Sequence, residues 1–185
     1  MHSPNPLDDG LRAAVAALGP VRHLVCPNRF HHLGVEAWKA AFPDALLWGV
    51  PGLPEKRKDL SFDRVLGDEP PADWAGQLDQ CLTEGNRAAG EVVFCHRASR
   101  TLLLCDLAMN IGPGEPWWTR QFFRLNGAYG RLSCSRLYRM LTRDRAAMRA
   151  SIERICAWDF DRILVCHGEA AAGGPAALRA ACAGL

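Results

Sequence analysis

The sequence predicts an α/β fold, in which helices cover a central sheet. Two observations carry this prediction. Short apolar runs that end in loops alternate along the chain with segments whose apolar residues recur at helical spacing. No internal repeat or low-complexity linker interrupts the 185 residues, so we expect a single domain over residues 1–185.

The first third of the chain predicts two helices and two or three strands. Gly19-Pro20 and Pro43 are helix stops, and Pro27-Asn28 cuts off an apolar run. These boundaries predict, in chain order, a helix over Leu7–Leu18, a strand over Val21–Cys26, a helix over Gly34–Phe42, a strand over Ala45–Val50 and a weaker strand over Ser61–Leu66.

The rest of the chain predicts a β-hairpin, several helices and a final strand. Two apolar runs are joined by His96–Ser99, a separation that suits a hairpin. Asp144 is a suitable N-cap for a later helix. The predicted elements are a helix over Pro70–Gly85 with Trp74, Leu78 and Leu82 on one face, strands over Glu91–Cys95 and Arg100–Leu107, helices over Trp117–Leu125, Ser135–Leu141 and Asp144–Trp158, a strand over Arg162–Cys166 and a short alanine-rich helix at the end.

Composition and charge exclude several classes of function. The formal net charge is +2 and the arginines are scattered, so we expect neither nucleic acid nor a membrane among the partners. No apolar run approaches the roughly 20 residues that cross a bilayer. The start MHSPNPLDD lacks the basic and apolar regions of an export signal. The eight cysteines are spread without a CxxC pair. The sequence therefore predicts a cytoplasmic protein with reduced thiols.

Metal-capable side chains follow three of the predicted strands. The first strand leads into PNRFHH, the second strand of the hairpin into Asp106, and the last strand into His167. Because chemistry in α/β proteins collects beyond the carboxyl ends of strands, we expect His31, His32, Asp106 and His167 to form a site. Imidazoles with one carboxylate suit zinc, iron or manganese. The alternative is a hydrogen-bonded cluster of the same residues without metal.

A cysteine comes just before the candidate ligand on two of these strands and ends the first strand. The residues are Cys26, Cys105 and Cys166. Since neighbouring side chains of a strand point to opposite faces, we expect these thiols in the core behind the site. Ligation by thiolate is the alternative.

Aromatic residues crowd the helix predicted over Trp117–Leu125. They are Trp117, Trp118, Phe122 and Phe123. This pattern favours a helix that faces the core or a partner. A pocket wall is the alternative, because the helix follows Asp106.

Four motifs together resemble a known family. They extend over about Ser3 to Gly168 and read PNRFHHLGVEAW, FPDALLWGVPGL, EVVFCHRASRTLLLCDL and WDFDRILVCHG. The set is similar to an uncharacterised family, domain of unknown function 4336, which has a metallo-β-lactamase-like fold. The resemblance implies a four-layered αβ/βα sandwich that binds metal at one edge of two facing sheets.

The first part of the superfamily's metal signature, an HxHxDH loop, falls on residues 27–32. Two histidines of the first metal site are replaced here by Pro27 and Arg29. His31 stands where the signature has its aspartate, and His32 matches its last histidine. The resemblance therefore implies that the first metal site has lost its loop ligands, while the second keeps its own.

The remaining signature positions complete the second site. Asp106 matches the bridging aspartate and His167 the final histidine, whereas EGNRAAG holds no counterpart of the middle histidine. The resemblance implies one divalent ion, with zinc first and iron or manganese next, held by His31, His32, Asp106 and His167. One position would stay open for water, and Asp106 would also serve catalysis.

This arrangement implies a metal-dependent hydrolase that acts on an unidentified small molecule. Arg29 would bind an anionic group, or else only fill the vacant first site with a salt bridge. The alternative function is a non-catalytic binding or scaffold protein that has lost the metal chemistry. Family members have strands before the HSP segment, so we expect a shortened N-terminus with an exposed sheet edge, which favours a homodimer.

Overall fold

A computed structural model describes residues 1–185 and divides them into two compact units. The first unit is Met1–Gly67, and the second is Asp68–Leu185. The prediction of a single domain over residues 1–185 stays a prediction. None of the helices combines the length and the apolar character that a membrane-spanning segment requires.

The first unit contains a parallel three-stranded sheet in the order β1-β2-β3. Its strands are short, and the middle of each of the first two is buried. The elements of this unit are α1 (Asp9–Ala17), β1 (His23–Val25), α2 (Val35–Ala41), β2 (Leu46–Gly49), α3 (Leu53–Lys56) and β3 (Arg64–Val65).

Local signals set α1 and α2 where the sequence predicts them, whereas the four-residue helix α3 was not predicted. The Asp8 side chain accepts a hydrogen bond from the Leu11 backbone N–H at 2.7 Å, and so caps α1. In α2, Val35 and Trp38 are buried one turn apart. The helix predicted over Leu7–Leu18 is therefore confirmed, with ends shortened by one or two residues.

The second unit contains a five-stranded sheet in the order β4-β5-β6-β7-β8. Only β6 and β7 are parallel; the other neighbours are antiparallel. The elements are β4 (Leu78–Leu82), β5 (Val92–His96), β6 (Thr101–Leu104), α4 (Trp117–Leu125), α5 (Arg136–Leu141), α6 (Arg145–Ile155), β7 (Arg162–Val165), β8 (Ala171–Ala172) and α7 (Pro175–Cys182).

The predicted hairpin is confirmed by strands β5 and β6. They pair antiparallel, with His96 opposite Thr101 at the turn. The long crossover from β6 to the parallel strand β7 carries α4, α5 and α6, as a parallel pair requires. Asp144 caps α6 by accepting from the Ala147 N–H at 2.9 Å, which confirms its predicted role.

The helix predicted over Pro70–Gly85 is wrong: its second half is strand β4. Gly76, at a φ of +80°, sits in the turn before the strand, a conformation that favours glycine. β4 then pairs along its whole length with β5. The Trp74 indole donates to the buried Gln80 side chain at 3.0 Å, which ties the turn to the strand. Pairing with a neighbouring strand overrode the helical spacing of the apolar residues.

Helix α4 has the predicted bounds, but its aromatic residues do not enter the core. None of its residues is buried, and Trp118 is 77% exposed. Phe123 alone among them packs against a small apolar cluster of Met109, Ile111 and Ala128. Of the two predicted alternatives for α4, the core-facing helix is therefore wrong, and the partner-facing helix stays a prediction.

Candidate metal centre

The ends of β6 and β7 bring two predicted ligands together. The parallel register places Leu104 beside Val165, so Asp106 and His167 follow as the second pair beyond the strands. The Oδ1 of Asp106 lies 3.2 Å from the Nε2 of His167. Asp106 is buried, whereas the imidazole of His167 is partly exposed. A carboxylate and an imidazole at this distance can share a proton or a metal ion.

One residue nearer the sheet, the same register pairs two thiols. The Sγ atoms of Cys105 and Cys166 lie within 4.8 Å of each other. Cys105 is fully buried, and burial, followed by a hydrogen bond that its thiol donates to Cys166, raises the pKa of Cys105. Cys26 is likewise buried, and burial raises its pKa to about 12. The core position expected for Cys26 and Cys105 is confirmed, while Cys166 is partly exposed.

A buried carboxylate that the sequence analysis missed fixes the loop that carries Asp106. Glu91 is fully buried, and its two oxygens accept the backbone N–H groups of residues 105, 106 and 107 at 2.8, 2.8 and 3.0 Å. Burial and the neighbouring Asp106 charge raise the pKa of Glu91 to about 8, although the N–H donors favour its ionised form. The only sequence signal was a glutamate directly before the apolar run Val92–Cys95.

The backbone after β7 holds His167 through a glycine. The His167 carbonyl accepts from the Asn110 N–H at 3.0 Å, and the Asn110 carbonyl accepts from the Glu169 N–H at 2.9 Å. Gly168 lies between them at a φ of +100°, and a Cβ there would sit 2.0 Å from the Asn110 carbonyl oxygen. The glycine of the VCHG motif is therefore required for the approach of these two segments.

In the first unit, the PNRFHH loop is organised by Asn28. This residue is fully buried, and its Oδ1 accepts the N–H groups of Phe30 and His31 at 2.9 and 2.8 Å. The His31 Nδ1 lies 2.6 Å from the Ser3 hydroxyl oxygen. An outer hydrogen bond of this kind fixes which ring nitrogen faces a ligand. No pattern of residue types in the sequence predicts these roles for Asn28 and Ser3.

His32 is held by a cation. The Arg57 guanidinium donates to the His32 Nδ1 at 2.7 Å and also contacts Glu36 at 2.5 Å and Asp59 at 2.6 Å. Because arginine only donates, Nδ1 accepts and Nε2 carries the hydrogen. Burial, followed by the charges of Lys56 and Arg57, lowers the pKa of His32. His32 is therefore a neutral ring in the tautomer that donates from Nε2.

Arg29 lies against the loop between β2 and α3. A Cβ at Gly52, where φ is +80°, would be 3.3 Å from the Arg29 guanidinium carbon. The Arg29 carbonyl accepts from the Lys56 ammonium at 2.6 Å, and this ammonium also lies 5.8 Å from the centre of the Phe30 ring. Two cationic side chains, Arg29 of the PNRFHH loop and Lys56 of α3, thus lie next to each other in the first unit.

Each of the two units holds two of the four predicted ligands. Asp106 and His167 meet in the second unit, whereas His31 and His32, consecutive in the first, bond to different side chains. His96 lies at the opposite end of β5 from Glu91, and its Nδ1 is 2.7 Å from the Ser99 hydroxyl oxygen in the hairpin turn.

Comparison with solved structures identifies the fold. A metallo-β-lactamase from Pontibacter korlensis matches with a TM-score of 0.64 at 14% identity, over 99% of this chain and 78% of that one. Two structures of the DIM-1 metallo-β-lactamase, one of them exposed to ceftazidime, match with TM-scores of 0.61 and 0.60 at 13% and 14% identity. They cover 97% and 95% of this chain, and 78% and 72% of their own.

No family model and no curated protein matches the chain, so its assignment to domain of unknown function 4336 stays a prediction. The similarity to the solved structures extends over nearly the whole sequence, at an identity that reports on fold alone. The sequence-based prediction of the fold is confirmed: the chain has the α/β fold of the metallo-β-lactamases.

Proposed function

We propose that the chain is a metal-dependent hydrolase in which Asp106 and His167 bind one divalent ion. The observation that carries the proposal is the 3.2 Å between Asp106 Oδ1 and His167 Nε2. Two ligands of a tetrahedral zinc ion, each about 2.0–2.1 Å from the metal, lie roughly 3.3 Å apart. The pair therefore fits a shared ion with little movement of either side chain.

His31 is the third ligand in this proposal. The resemblance gives His31 the aspartate position of the HxHxDH loop, and the Ser3 hydroxyl at its Nδ1 would direct Nε2 to the ion. The resemblance also assigns His32 as a ligand. The Arg57 contact to His32 Nδ1 supports a different role, in which this ring orients Arg57.

Zinc is the first choice of ion, with iron and manganese as alternatives, because the donor set combines imidazoles with a carboxylate. A bound divalent ion supplies Lewis acidity toward a carbonyl or phosphoryl oxygen of the substrate. The protein's own groups have separate tasks. Glu91 holds the Asp106 loop, and Arg29, with Lys56 near it, would bind an anionic group of the substrate.

Metal content tests the proposal. Untagged protein is incubated with zinc, dialysed and analysed by mass spectrometry, together with Asp106→Asn and His167→Gln. We expect about one zinc per native chain and a loss of at least tenfold in affinity in both variants. The matched controls are Asp159→Asn and His96→Gln, which change an exposed carboxylate and a histidine at the far end of β5. Native protein that retains no zinc, or variants that retain it, would contradict the proposal.

A binding protein without catalysis is the second candidate. It is favoured by Pro27 and Arg29, which stand where the superfamily signature has two histidines. A panel of esters, phosphodiesters and thioesters separates the two candidates. Turnover by zinc-loaded native protein that Asp106→Asn abolishes supports the hydrolase. Stoichiometric zinc without turnover of any substrate class supports the binding protein.

A further inference from the structure

Helix α4 presents apolar side chains to solvent on its outer face. Trp118, Phe122 and Leu125 recur at positions i, i+4 and i+7, so they share one face of the helix. Trp118 is 77% exposed, Leu125 75%, and Phe122 about half. Trp117, next to this face, is also half exposed. Surface helices normally direct such residues toward the core, whereas α4 directs these three toward solvent.

The inner side of α4 is nevertheless anchored. Phe123 packs against Met109, Ile111 and Ala128, and the Arg124 guanidinium lies 4.3 Å from the centre of the Tyr129 ring. The Asn126 side chain donates to the Phe122 carbonyl at 2.9 Å at the end of the helix. The exposed aromatic residues therefore belong to a helix whose opposite side is packed against the protein.

The neighbouring helix α5 adds a second exposed apolar set. The Arg136 backbone N–H donates to the Asn126 carbonyl at 2.8 Å, and its guanidinium donates to the Leu125 carbonyl at 3.1 Å, so the two helices are joined. On α5, Met140 is 77% exposed, and Leu137 and Leu141 are exposed as well. The recurrence of these three at i, i+3 and i+4 places them on one face.

The charge of this segment is strongly one-sided. Residues 113–143 contain six arginines and no lysine, against Glu115 as their single carboxylate, which gives a net charge of +5. The whole chain carries only +2, so the other residues are slightly acidic. The arginines of the segment are Arg120, Arg124, Arg131, Arg136, Arg139 and Arg143.

We propose that the exposed apolar side chains of α4 and α5 dock onto the surface of an anionic phospholipid bilayer. This apolar set consists of Trp117, Trp118, Phe122, Leu125, Leu137, Met140 and Leu141. Exposed tryptophan, phenylalanine and leucine on a helix with arginines around it are the signature of interfacial binding. The aliphatic side chains Leu125, Leu137 and Met140 favour lipid over a single-stranded nucleic acid, which would need stacking rings. The expectation of no membrane partner rests on the net charge of the whole chain. In that total, the acidic residues of the rest of the chain offset the positive charge of residues 113–143.

Vesicle binding tests the inference independently of metal content and hydrolysis. The probe is phosphatidylcholine vesicles with about one third phosphatidylserine, compared with pure phosphatidylcholine, in a co-sedimentation assay at low and high salt. We expect the native protein to bind the anionic vesicles at least tenfold more tightly than the neutral ones. Salt should weaken this binding.

Two double variants separate the apolar contribution to vesicle binding from the electrostatic one. Trp118→Ser with Phe122→Ser should reduce binding at least tenfold. Arg131→Gln with Arg143→Gln should weaken binding to anionic vesicles by about fivefold per arginine. Leu18→Ser with Leu33→Ser is the matched control, since these residues of the first unit are 90% and 83% exposed, and it should bind as native protein does. Unfolding midpoints show that each variant is folded.

Three results would overturn the inference. The first is equal or absent binding to both vesicle types. The second is unchanged binding by the Trp118 and Phe122 variant. The third is a native protein that does not bind vesicles but behaves in one of two other ways. Either it is a dimer that the Trp118 and Phe122 variant converts to a monomer, or it binds a single-stranded oligonucleotide tightly. Those last outcomes would assign the face to a second copy or to nucleic acid.

Discussion

The buried side chain of Glu91 accepts a hydrogen bond from the backbone N–H of Asp106 at 2.8 Å. The same carboxylate also binds the N–H groups on either side, at Cys105 and Leu107. Three donors converge on one side chain, so the direction in which the Asp106 side chain leaves the loop depends on Glu91. Glu91 is therefore a positioning residue for the candidate metal centre.

Glu91→Gln should separate this positioning role from general stability. The amide replaces an acceptor oxygen by an NH₂ group that faces backbone donors, and leaves at least one buried N–H unsatisfied. We expect a loss of about 2–3 kcal/mol in the free energy of unfolding in urea. Zinc affinity should fall roughly 10–100-fold, as for other changes around a ligand. Glu84→Gln, an exposed change in the same unit, should alter neither quantity. Normal zinc affinity in Glu91→Gln would contradict the role.

Gly168→Ala should disturb His167 through the backbone. The new Cβ would lie 2.0 Å from the Asn110 carbonyl oxygen, at a φ of +100°. We expect a loss of about 3 kcal/mol or more in unfolding free energy, together with weaker zinc binding. Gly130→Ala is the matched control, because its φ is +76° but nothing lies near the added Cβ. That variant should lose only about 1–2 kcal/mol and keep its zinc affinity.

Local signals in the sequence were enough for much of the fold. The caps at Asp8 and Asp144 and the hairpin turn after His96 depend on residues within a few positions, and all three are confirmed. The strand β4 was missed because its state depends on pairing with β5, ten or more residues away in the sequence. The spacing of apolar residues within a segment carries no information about a strand that pairs with it.

The candidate site was predictable to the extent that strand ends determine it. Asp106 and His167 meet because β6 and β7 are parallel neighbours in register. The position of each residue at the end of a strand predicts this contact. Glu91 and Asn28 were not predictable in this way. Their side chains bind backbone groups of a loop, and such bonds leave no pattern of residue types. Ser3 was not predictable either, because its hydroxyl contacts the side chain of His31, 28 residues away in the sequence.

Thiol reactivity should single out Cys166. The other seven cysteines are buried, and burial raises the pKa of Cys134 to about 12 and of Cys95 to about 11. Since the thiolate is the reactive form, buried thiols with raised pKa values react slowly. We expect about one fast thiol per native chain with an aromatic disulfide reagent at neutral pH, and eight after denaturation. Cys166→Ser should remove the fast phase, and Cys95→Ser should retain it. Several fast thiols in native protein would contradict the burial.

The Asp68–Arg154 ion pair should give a defined acid sensitivity. Asp68 accepts two bonds from the Arg154 guanidinium, at 2.6 and 2.8 Å, and one from the Leu82 N–H at 3.0 Å. The hydrogen bonds from Arg154, followed by the Leu82 N–H, hold the pKa of Asp68 below its ordinary value of 3.8. A lowered folded-state pKa stabilises the protein above the unfolded pKa, and this contribution is lost as the pH falls through the folded pKa.

Asp68→Asn should therefore lose about 0.5–1 kcal/mol of unfolding free energy at neutral pH, because both partners are half exposed. The difference from native protein should shrink as the pH falls below about 4. Urea unfolding at several pH values measures it, with the exposed Asp73→Asn as control. A difference that stays constant down to about pH 2 would show that Asp68 acts through something other than its charge.

The two adjacent histidines of the PNRFHH loop should respond differently to substitution. Ser3 engages the Nδ1 of His31, whereas Arg57 donates to the Nδ1 of His32 and leaves its Nε2 as an N–H donor. A nitrogen that carries hydrogen cannot ligate a metal without a change of tautomer. We expect His31→Gln to lose zinc, and His32→Gln to keep it while losing about 1 kcal/mol of stability through the Arg57 contact. If His32→Gln loses zinc as fully as His31→Gln, the ring must turn from Arg57 to the metal. The four-residue ligand set implied by the resemblance would then be the correct one.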